Sequence, residues 1–471
     1  MRARRLLLLT LCTALGLPAS GEESERLKAF RMAFAAPDPA AKAAAVKALA
    51  ASWDAEVAGT LLPHVKPSQD PEVLASIAAA AGKHPDAGAT ALLKAALSLA
   101  PKASWRARGT AAMALLSRNA PGDFELALGT ASDKDDRALF LLCEGLGASR
   151  HAQAVPELKR LLAHDDWRVR ASALEGLKTQ GKSDEVLRAL ISRLPYEDGR
   201  LLGDLLETLK HLTGQDPGPG YAAWQEWFVR SRRGGEGAAV RNAEEAFTHR
   251  GTPVTYHGVT TYSRRILFVF DRTGSMTTDD RIGKEKQKLI EVLETLGKPP
   301  QGEDRYEKKK VPPVCFNILM FSNGMVESWQ PALVPANEES RKAAILFVRK
   351  QVPSGWTNTW TAMKTALDMA SCGTGKQGLQ RPEESGPGRD MDEEPYGYGK
   401  QEADTLFLLS DGAPTKPSGQ EMDDWQKIAD QIRDYNRTKK VVIHTIAIGD
   451  ALPAFMMRVA QENGGTSSSI P

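Results

Sequence analysis

Three separated segments in the C-terminal half carry oxygen-bearing side chains in a pattern that could hold a hard metal ion. The first, Asp271-Arg272-Thr273-Gly274-Ser275, places a carboxylate and two hydroxyls at alternate positions, which in an extended loop point to one side. The second supplies Thr357 and the third supplies Asp411. Two carboxylates and three hydroxyls, without histidine or thiol, favour Mg²⁺, with Mn²⁺ and Ca²⁺ as less favoured candidates.

The elements that must position these residues follow a β-α alternation that begins near Arg265. This alternation predicts a doubly wound α/β domain with a parallel sheet and helices on both faces. Ligands of such sheets bind at the carboxyl ends of the strands, where the three segments fall. The predicted strands are 266–270, 314–321, 405–409 and 441–448, and the predicted helices are 284–296, 341–348, 359–370, 422–435 and 452–461.

The three segments resemble the metal-ion-dependent adhesion site of the von Willebrand factor A family, whose pattern is D-x-S-x-S, then a distant Thr, then a distant Asp. The resemblance covers roughly residues 264–465. It implies that Thr273 and Ser275 are direct ligands and that Thr357 is a direct or water-bridged ligand. It also implies that Asp271 and Asp411 act mainly through water. In the family, one metal position remains for a Glu or Asp carboxylate of a protein partner.

Three departures from the family pattern qualify this resemblance. Thr273 stands where the family usually has Ser, and its β-branched side chain is more restricted. Trp356 occupies a position that is often Gly. The chain ends near residue 471, where relatives commonly continue into a final strand, so we expect the sheet to be one strand short. Two alternatives stay open: a capped turn that binds no metal, and Thr359 as the ligand in place of Thr357.

Residues 22–230 are rich in Ala and Leu and contain a repeat. Its anchor segments lie 30 to 34 residues apart and begin near Asp38, Asp70, Ser104, Asp135, Asp165 and Glu197. Each anchor offers a polar N-cap before an apolar helix. A helix pair cannot bury its apolar face alone, so we predict an all-α solenoid. The stretch 166–174 resembles HEAT-type repeats, and an irregular helical bundle is the alternative.

The N-terminus is typical of a secretory signal peptide. Arginines come first, an apolar run follows them, and small residues follow the run. The apolar run is too short to span a bilayer. The predicted organisation is a signal peptide at 1–21, repeats at 22–230, a linker at 231–262 and a von Willebrand factor A domain at 263–471. A Gly-, Pro- and charge-rich insertion at 371–403 is predicted to be a flexible loop.

Composition narrows the function. A formal net charge of +2 excludes a strongly basic polyanion binder, so we expect no nucleic-acid partner. We predict an exported, non-enzymatic binding protein located in the periplasm, at the cell surface or outside the cell, with no transmembrane span after signal cleavage and with the repeats as a second interaction surface. No catalytic residue is predicted. The rival interpretation is a metal-dependent hydrolase or a subunit of an enzyme complex, and a vestigial scaffold is a third.

Overall fold

Helices account for most of the described residues before residue 233. The computed structural model describes residues 24–100, 103–132, 137–232, 253–298, 313–322, 325–369, 403–416, 422–449 and 451–470. The first helices are α1 Glu25–Phe34, α2 Pro39–Ala50, α3 Ala55–Leu61, α4 Pro71–Ala81, α5 Ala87–Leu97, α6 Trp105–Arg118, α7 Asp123–Leu128, α8 Arg137–Ala148, α9 Ala154–Leu161, α10 Trp167–Gln180, α11 Asp184–Arg193, α12 Gly199–Thr213 and α13 Tyr221–Arg232. The predicted all-α region is confirmed.

Several helices begin where the sequence places an N-cap. The Asp38 carboxylate accepts hydrogen bonds from the backbone N–H groups of Ala40 and Ala41, and the Asp70 carboxylate accepts one from Glu72. Proline occupies the first position of both helices, where no intrahelical N–H is needed. Ser104, in contrast, makes no side-chain cap, and Asp135 lies outside the described residues. The acidic anchors therefore mark helix starts more reliably than the serine does.

The chain folds as two compact units whose boundary lies within the helical repeats. One unit comprises residues up to 164 together with 172–186, and the other comprises 165–171 together with 187–471. The predicted boundaries stay a prediction, because most of the linker 231–262 and almost all of the insertion 371–403 lie outside the described residues, as does the signal peptide. Among the described helices, none combines the length and apolar character needed to cross a membrane.

The second unit contains a mixed sheet flanked by helices. Its strands are β1 Val254–Tyr256, β2 Val259–Thr261, β3 Arg265–Asp271, β4 Cys315–Ser322, β5 Met325–Ser328, β6 Val334–Pro335, β7 Thr405–Ser410, β8 Val442–Ile448 and β9 Ser467–Ile470. The flanking helices are α14 Arg281–Thr295, α15 Glu338–Lys350, α16 Thr359–Met369, α17 Trp425–Asn436 and α18 Pro453–Glu462. The main sheet runs in the order β5-β4-β3-β7-β8-β9, with β6 also paired to β4.

Strand β3 shows why this region forms a buried central strand. Its residues alternate between the two faces of the sheet, as the period of a strand requires. Phe268 packs in the core that includes α14 and α15, whereas Leu267 packs in the core that includes α16, α17 and α18. Both faces are covered, so the strand is apolar from Ile266 to Phe270 and ends at the polar Asp271. The predicted α/β fold with helices on both faces is confirmed.

Three details of the sheet differ from the prediction. The chain does form a last strand, because β9 pairs in parallel with β8, so the expectation of a missing strand is wrong. The strand is rich in serine, so a search for apolar runs did not predict it. Strands β5 and β6 run antiparallel to β4, so the sheet is not wholly parallel. Residues 254–261 form an antiparallel hairpin, and Tyr256 of that hairpin packs in the core beside Phe268.

Within the second unit, helix α12 contacts the amino ends of the central strands. Arg200 donates hydrogen bonds to the backbone carbonyls of Asp404 and Lys440. Asp404 immediately precedes β7, and Lys440 lies just before the start of β8. Arg264, just before β3, forms a salt bridge with Asp198 at 2.9 Å. Arg200 also lies over the ring of Trp167 at 5.3 Å. This edge of the sheet is therefore covered by the last helical repeat.

Candidate metal site

The two candidate carboxylates lie at the same edge of the sheet. Asp271 is the last residue of β3, and Asp411 directly follows the end of β7. These strands are parallel neighbours, so their carboxyl ends meet. Both aspartates are almost fully buried, at 0% and 2% exposed. The topology of the fold therefore brings together two carboxylates that are 140 positions apart in the sequence.

Asp271 is held by two hydrogen bonds. One carboxylate oxygen accepts from the Thr273 backbone N–H at 2.8 Å, and the other accepts from the Ser410 hydroxyl. Burial raises the pKa of Asp271 to about 7, although the hydrogen bonds from Ser410 and Thr273 lower it; the nearby charge of Asp411 also raises it. Without a counter-charge, this carboxylate is therefore costly to ionise, and a cation would relieve that cost.

A chain of hydroxyl contacts links the remaining candidate ligands. The Thr273 and Ser275 hydroxyl oxygens are 3.1 Å apart, and the Ser275 hydroxyl donates to Asp411 at 2.8 Å. The Thr357 hydroxyl lies 3.5 Å from that of Thr273. Thr273 and Thr357 are buried, whereas Ser275 is exposed. The structure thus places all five predicted residues in one connected group with a solvent-facing side.

Backbone contacts hold the three loops of this group in place. The Gly274 N–H donates to the Gly355 carbonyl at 3.0 Å, and the Thr415 N–H donates to the Thr357 carbonyl at 2.9 Å. Gly412 is required for space, because a Cβ there would lie 2.7 Å from the Thr357 hydroxyl oxygen. Thr357 lies in the loop before α16, and its position therefore depends on contacts with two glycine-containing loops.

Arg281 is a neighbour of the site that the sequence reasoning missed. This first residue of α14 places Nη1 at 3.2 Å from the Asp411 carboxylate, and both side chains are largely buried. A Cβ at Gly449, which follows β8, would lie 2.3 Å from Nη2 of Arg281, so the guanidinium lies close against that backbone. Arg281 lies outside the D-x-S-x-S pattern, and nothing in its sequence context marks it as a partner of Asp411.

Ser410 was also missed, although a signal for it existed. It is the last residue of β7 and directly precedes Asp411, so its hydroxyl could have been assigned to the same edge. Its bond to Asp271 ties the ends of β3 and β7 together. Ser410 is therefore a positioning residue for the first carboxylate.

The residues present fit a hard divalent cation held by oxygen atoms. Among the described residues no group of three or more His, Cys, Asp and Glu side chains could hold a metal, so a metal here would depend on hydroxyls as well as on the two carboxylates. The buried Thr359 hydroxyl has no hydrogen-bond partner in the described part of the chain. The Thr357 hydroxyl contacts Thr273 directly, which favours Thr357 over Thr359 as the ligand.

Comparisons with known proteins agree with this architecture. Residues 125–210 match the family model of HEAT repeats, and residues 312–469 match that of the von Willebrand factor type A domain. The second match includes Thr357 and Asp411 and begins after the Asp271 loop. A helical repeat region thus precedes an α/β domain with an oxygen-lined edge. The chain therefore contains one region that matches HEAT repeats and, after it, one region that matches the von Willebrand factor type A domain.

Relatives with similar sequences include inter-alpha-trypsin inhibitor heavy chains. The chain is 25% identical over 235 residues to human heavy chain H4, covering 50% of this chain and 21% of that protein. It is 26% identical over 229 residues to heavy chain H1 of Mesocricetus auratus, covering 48% of this chain and 20% of that protein. The chain therefore spans only about a fifth of the length of these relatives.

Two solved structures are similar over less than half of the chain. A von Willebrand factor type A protein from Catenulispora acidiphila has a TM-score of 0.31 at 17% identity, covering 45% of this chain and 40% of that chain. The open conformation of the pilus adhesin SpaC from Lactobacillus rhamnosus GG has a TM-score of 0.29 at 16% identity, covering 43% and 27%.

Proposed function

We propose that this chain is an exported, non-enzymatic binding protein whose von Willebrand factor A domain holds one Mg²⁺ ion and recognises an acidic group of a protein partner. The observation that carries the proposal is the convergence of Asp271, Thr273, Ser275, Thr357 and Asp411 at one edge of the sheet through direct contacts. The helical repeats provide a second interaction surface. Mn²⁺ and Ca²⁺ are less favoured occupants of the same site.

Each residue has a distinct part in this proposal. Thr273 and Ser275 would hold the metal directly, Thr357 directly or through water, and the two aspartates through water. Neutral hydroxyls leave the cation strongly electropositive, and when bound it supplies the charge that attracts a Glu or Asp of the partner. The protein's own task is to orient the hydroxyls. The Gly412 loop does so by packing against Thr357, and the Gly355 carbonyl does so by accepting a hydrogen bond from the Gly274 N–H.

The contacts around the two carboxylates favour binding over hydrolysis. Both oxygens of Asp271 accept hydrogen bonds, and those of Asp411 contact the Ser275 hydroxyl and Arg281. An arginine stays protonated and does not serve as a general base. A hydrolase would need a base within hydrogen-bond reach of the reacting water. We therefore assign no catalytic residue.

Metal binding by the Asp271→Ala variant tests the proposal. The full chain is titrated with Mg²⁺ by calorimetry, and its unfolding is followed with and without Mg²⁺. We expect Asp271→Ala to weaken Mg²⁺ binding by about 100-fold or more, comparable to the loss of an important metal partner. The metal-free domain should be as stable as wild type or slightly more so, because Asp271 and Asp411 repel each other.

Asp434→Ala is the matched control, since this exposed carboxylate lies in the same domain on α17. It should leave both Mg²⁺ affinity and stability unchanged. If Mg²⁺ fails to stabilise the wild type while Asp271→Ala destabilises the metal-free domain, then Asp271 is a structural cap and the proposed function is wrong.

Export is tested separately at the N-terminus. Cleavage of the signal peptide predicts that the mature protein isolated from its native host begins near residue 20. N-terminal sequencing of that protein gives the answer directly. Recovery of intact Met1 in a membrane fraction would contradict export with cleavage.

A further inference from the structure

Large apolar side chains are exposed around the candidate metal site. Between residues 253 and 470, the exposed large hydrophobic residues in the described part of the chain are Met325, Leu346, Val352, Trp356, Met422 and Met457. Four of these lie on segments linked by backbone hydrogen bonds to the metal-site loops or to the adjacent strand end. We call this set, Met325, Val352, Trp356 and Met422, the apolar rim. Exposed apolar groups clustered at one place mark interaction surfaces.

Trp356 is the rim residue with the closest link to the site. It is 53% exposed and lies between Gly355, whose carbonyl accepts from the Gly274 N–H, and Thr357, whose hydroxyl contacts Thr273. A tryptophan buries a large apolar area when a partner covers it, and tryptophan is enriched among residues that dominate binding energy. Trp356 is therefore placed to contact whatever reaches the metal.

The other rim residues connect to the same loops. Met422 pairs with Thr415, whose N–H donates to the Thr357 carbonyl. Val352 lies two residues before Ser354, whose N–H donates to the Arg272 carbonyl.

Met325 lies farther along the same edge. It pairs with Ser322 at the end of β4, the strand next to β3. The four rim residues therefore lie on three segments, each joined by backbone contacts to a loop of the site or to the neighbouring strand end.

The charges at this edge select an anionic occupant. Among Asp271, Asp411 and Arg281, a bound divalent cation would balance the two carboxylates, and the Arg281 charge beside Asp411 would then remain in excess. Arg272 is paired at 3.4 Å with Glu327, so it adds no further net charge. A positive centre inside an apolar rim is complementary to a carboxylate flanked by apolar side chains.

We propose that the partner binds through a protein segment in which a Glu or Asp is flanked by large apolar side chains, and that Trp356 is the main determinant of this specificity. The proposal rests on the proposed function, since the carboxylate needs the metal. It adds the prediction that the flanking residues contribute affinity of their own. Exposed tryptophan is costly to leave uncovered, and burying it against apolar flanks recovers that cost.

Synthetic peptides test this specificity on the full chain. The probes are a short peptide with a central Glu flanked by Leu and Phe, the same peptide with Ser at both flanks, and the Leu- and Phe-flanked peptide with Gln in place of Glu. With saturating Mg²⁺ we expect the first peptide to bind at least about tenfold tighter than either of the others. A chelator should abolish its binding.

Trp356→Ser should reduce the preference for apolar flanks to within about twofold while leaving Mg²⁺ affinity unchanged. Tyr196→Ser, which removes an aromatic side chain of comparable exposure (64% against 53% for Trp356) from the helical part, is the matched control and should keep the full preference. Unchanged Mg²⁺ affinity also shows that the Trp356→Ser domain is folded.

Two outcomes would overturn the inference while leaving the metal function intact. One is Mg²⁺-dependent binding of the Glu peptides with no preference for apolar flanks, or with a preference that survives in Trp356→Ser. The other is Mg²⁺-dependent self-association that Trp356→Ser abolishes, which would make a second copy of this chain the occupant. Failure of Mg²⁺ to bind the wild type would instead contradict the proposed function itself.

Discussion

The two edges of the central sheet use polar groups in opposite ways. At the amino ends of the strands, Arg200 and Arg264 reach partners within the same chain, namely strand-end carbonyls and Asp198. At the carboxyl ends, Asp271 and Asp411 are surrounded by hydroxyls, and apolar side chains stand exposed nearby. The amino edge pairs both arginines within the fold, whereas the carboxyl edge keeps hydroxyl and carboxylate oxygens beside an exposed Trp356, with Arg281 paired to Asp411.

This difference explains how one sheet can be held by α12 at its amino edge while residues at its carboxyl edge stay exposed to solvent. A buried charge is tolerated when it is paired and hydrogen-bonded, and α12 supplies that pairing at the amino edge. No helix of the same unit plays that part for Ser275 or Trp356, which stay exposed in the described structure. Changes at the amino edge should therefore affect stability, and changes at the carboxyl edge should affect binding.

The largest effect on stability should come from Arg200→Ala. Loss of the guanidinium removes hydrogen bonds to two strand-end carbonyls and the contact with Trp167, so we expect a loss of about 2–3 kcal/mol in the free energy of unfolding. Denaturant unfolding of the full chain measures it. Mg²⁺ affinity should change less than about twofold if the edges are independent.

Arg230→Ala is the control, because its exposed pair with Glu226 should contribute under about 0.5 kcal/mol. A loss of Mg²⁺ affinity in Arg200→Ala as large as its loss of stability would contradict the division between the edges.

The second prediction concerns how His444 in β8 makes the free energy of unfolding depend on pH. Burial, together with the smaller effect of the nearby Arg200 charge, lowers the pKa of His444 to about 4. The folded state therefore holds the neutral ring, and the unfolded state binds a proton first as the pH falls. Stability from this group is present above about pH 6.5 and is lost towards pH 4.

The measurement compares wild type with His444→Asn, because Asp271, with its raised pKa, titrates in the opposite sense over part of the same range. Between pH 8 and pH 5, the wild type should lose about 2 kcal/mol of unfolding free energy relative to His444→Asn. Parallel pH curves for the two proteins would show that His444 does not titrate as stated.

A smaller effect is expected from Gly412→Ala at the carboxyl edge. The added methyl group would meet the Thr357 hydroxyl oxygen and must displace it, although no proposed ligand is replaced. We expect Mg²⁺ affinity to fall about tenfold, as when a supporting neighbour of a metal ligand is changed. Calorimetric titration measures this fall, and unchanged affinity would argue that the Thr357 hydroxyl is not a ligand.

The smallest effect should come from Thr359→Val. This change removes a buried hydroxyl that has no partner in the described part of the chain, so stability should stay equal or rise slightly. Mg²⁺ affinity should stay within about twofold, whereas Thr357→Val should lower it by tenfold or more. The reverse ranking of these two variants in the same titration would assign the ligand to Thr359.

Local patterns were sufficient to predict much of the molecule. The apolar run before Asp271 and the acidic anchors before α2 and α4 predicted a buried strand and two helix starts, because burial and capping act within a few residues. The order of the three oxygen-bearing segments also suggested that they share one edge. Their role in holding a metal stays a prediction.

Contacts between segments distant in the sequence decided the structure of the segments that local patterns did not predict. The Ser-rich β9 becomes a strand because β8 offers it an edge, and the hairpin at 254–261 is stabilised by burying Tyr256 against the sheet. Neither segment has enough apolar character to predict its place by itself. The sequence predicted residues 187–230 to be part of the repeats. In the structure they belong to the same compact unit as the α/β domain, and α12 contacts the amino ends of its strands.

The sequence by itself determined the identity and order of the candidate ligands, since residue types and strand periodicity are local properties. Only the tertiary structure decided that Arg281 pairs with Asp411, that the Ser410 hydroxyl donates a hydrogen bond to Asp271 and that Trp356, next to Thr357, stays exposed. Arg281 and Asp411 are 130 residues apart, and Ser410 and Asp271 are 139 apart. Such contacts depend on which strands become neighbours, which is a property of the whole sheet rather than of any segment within it.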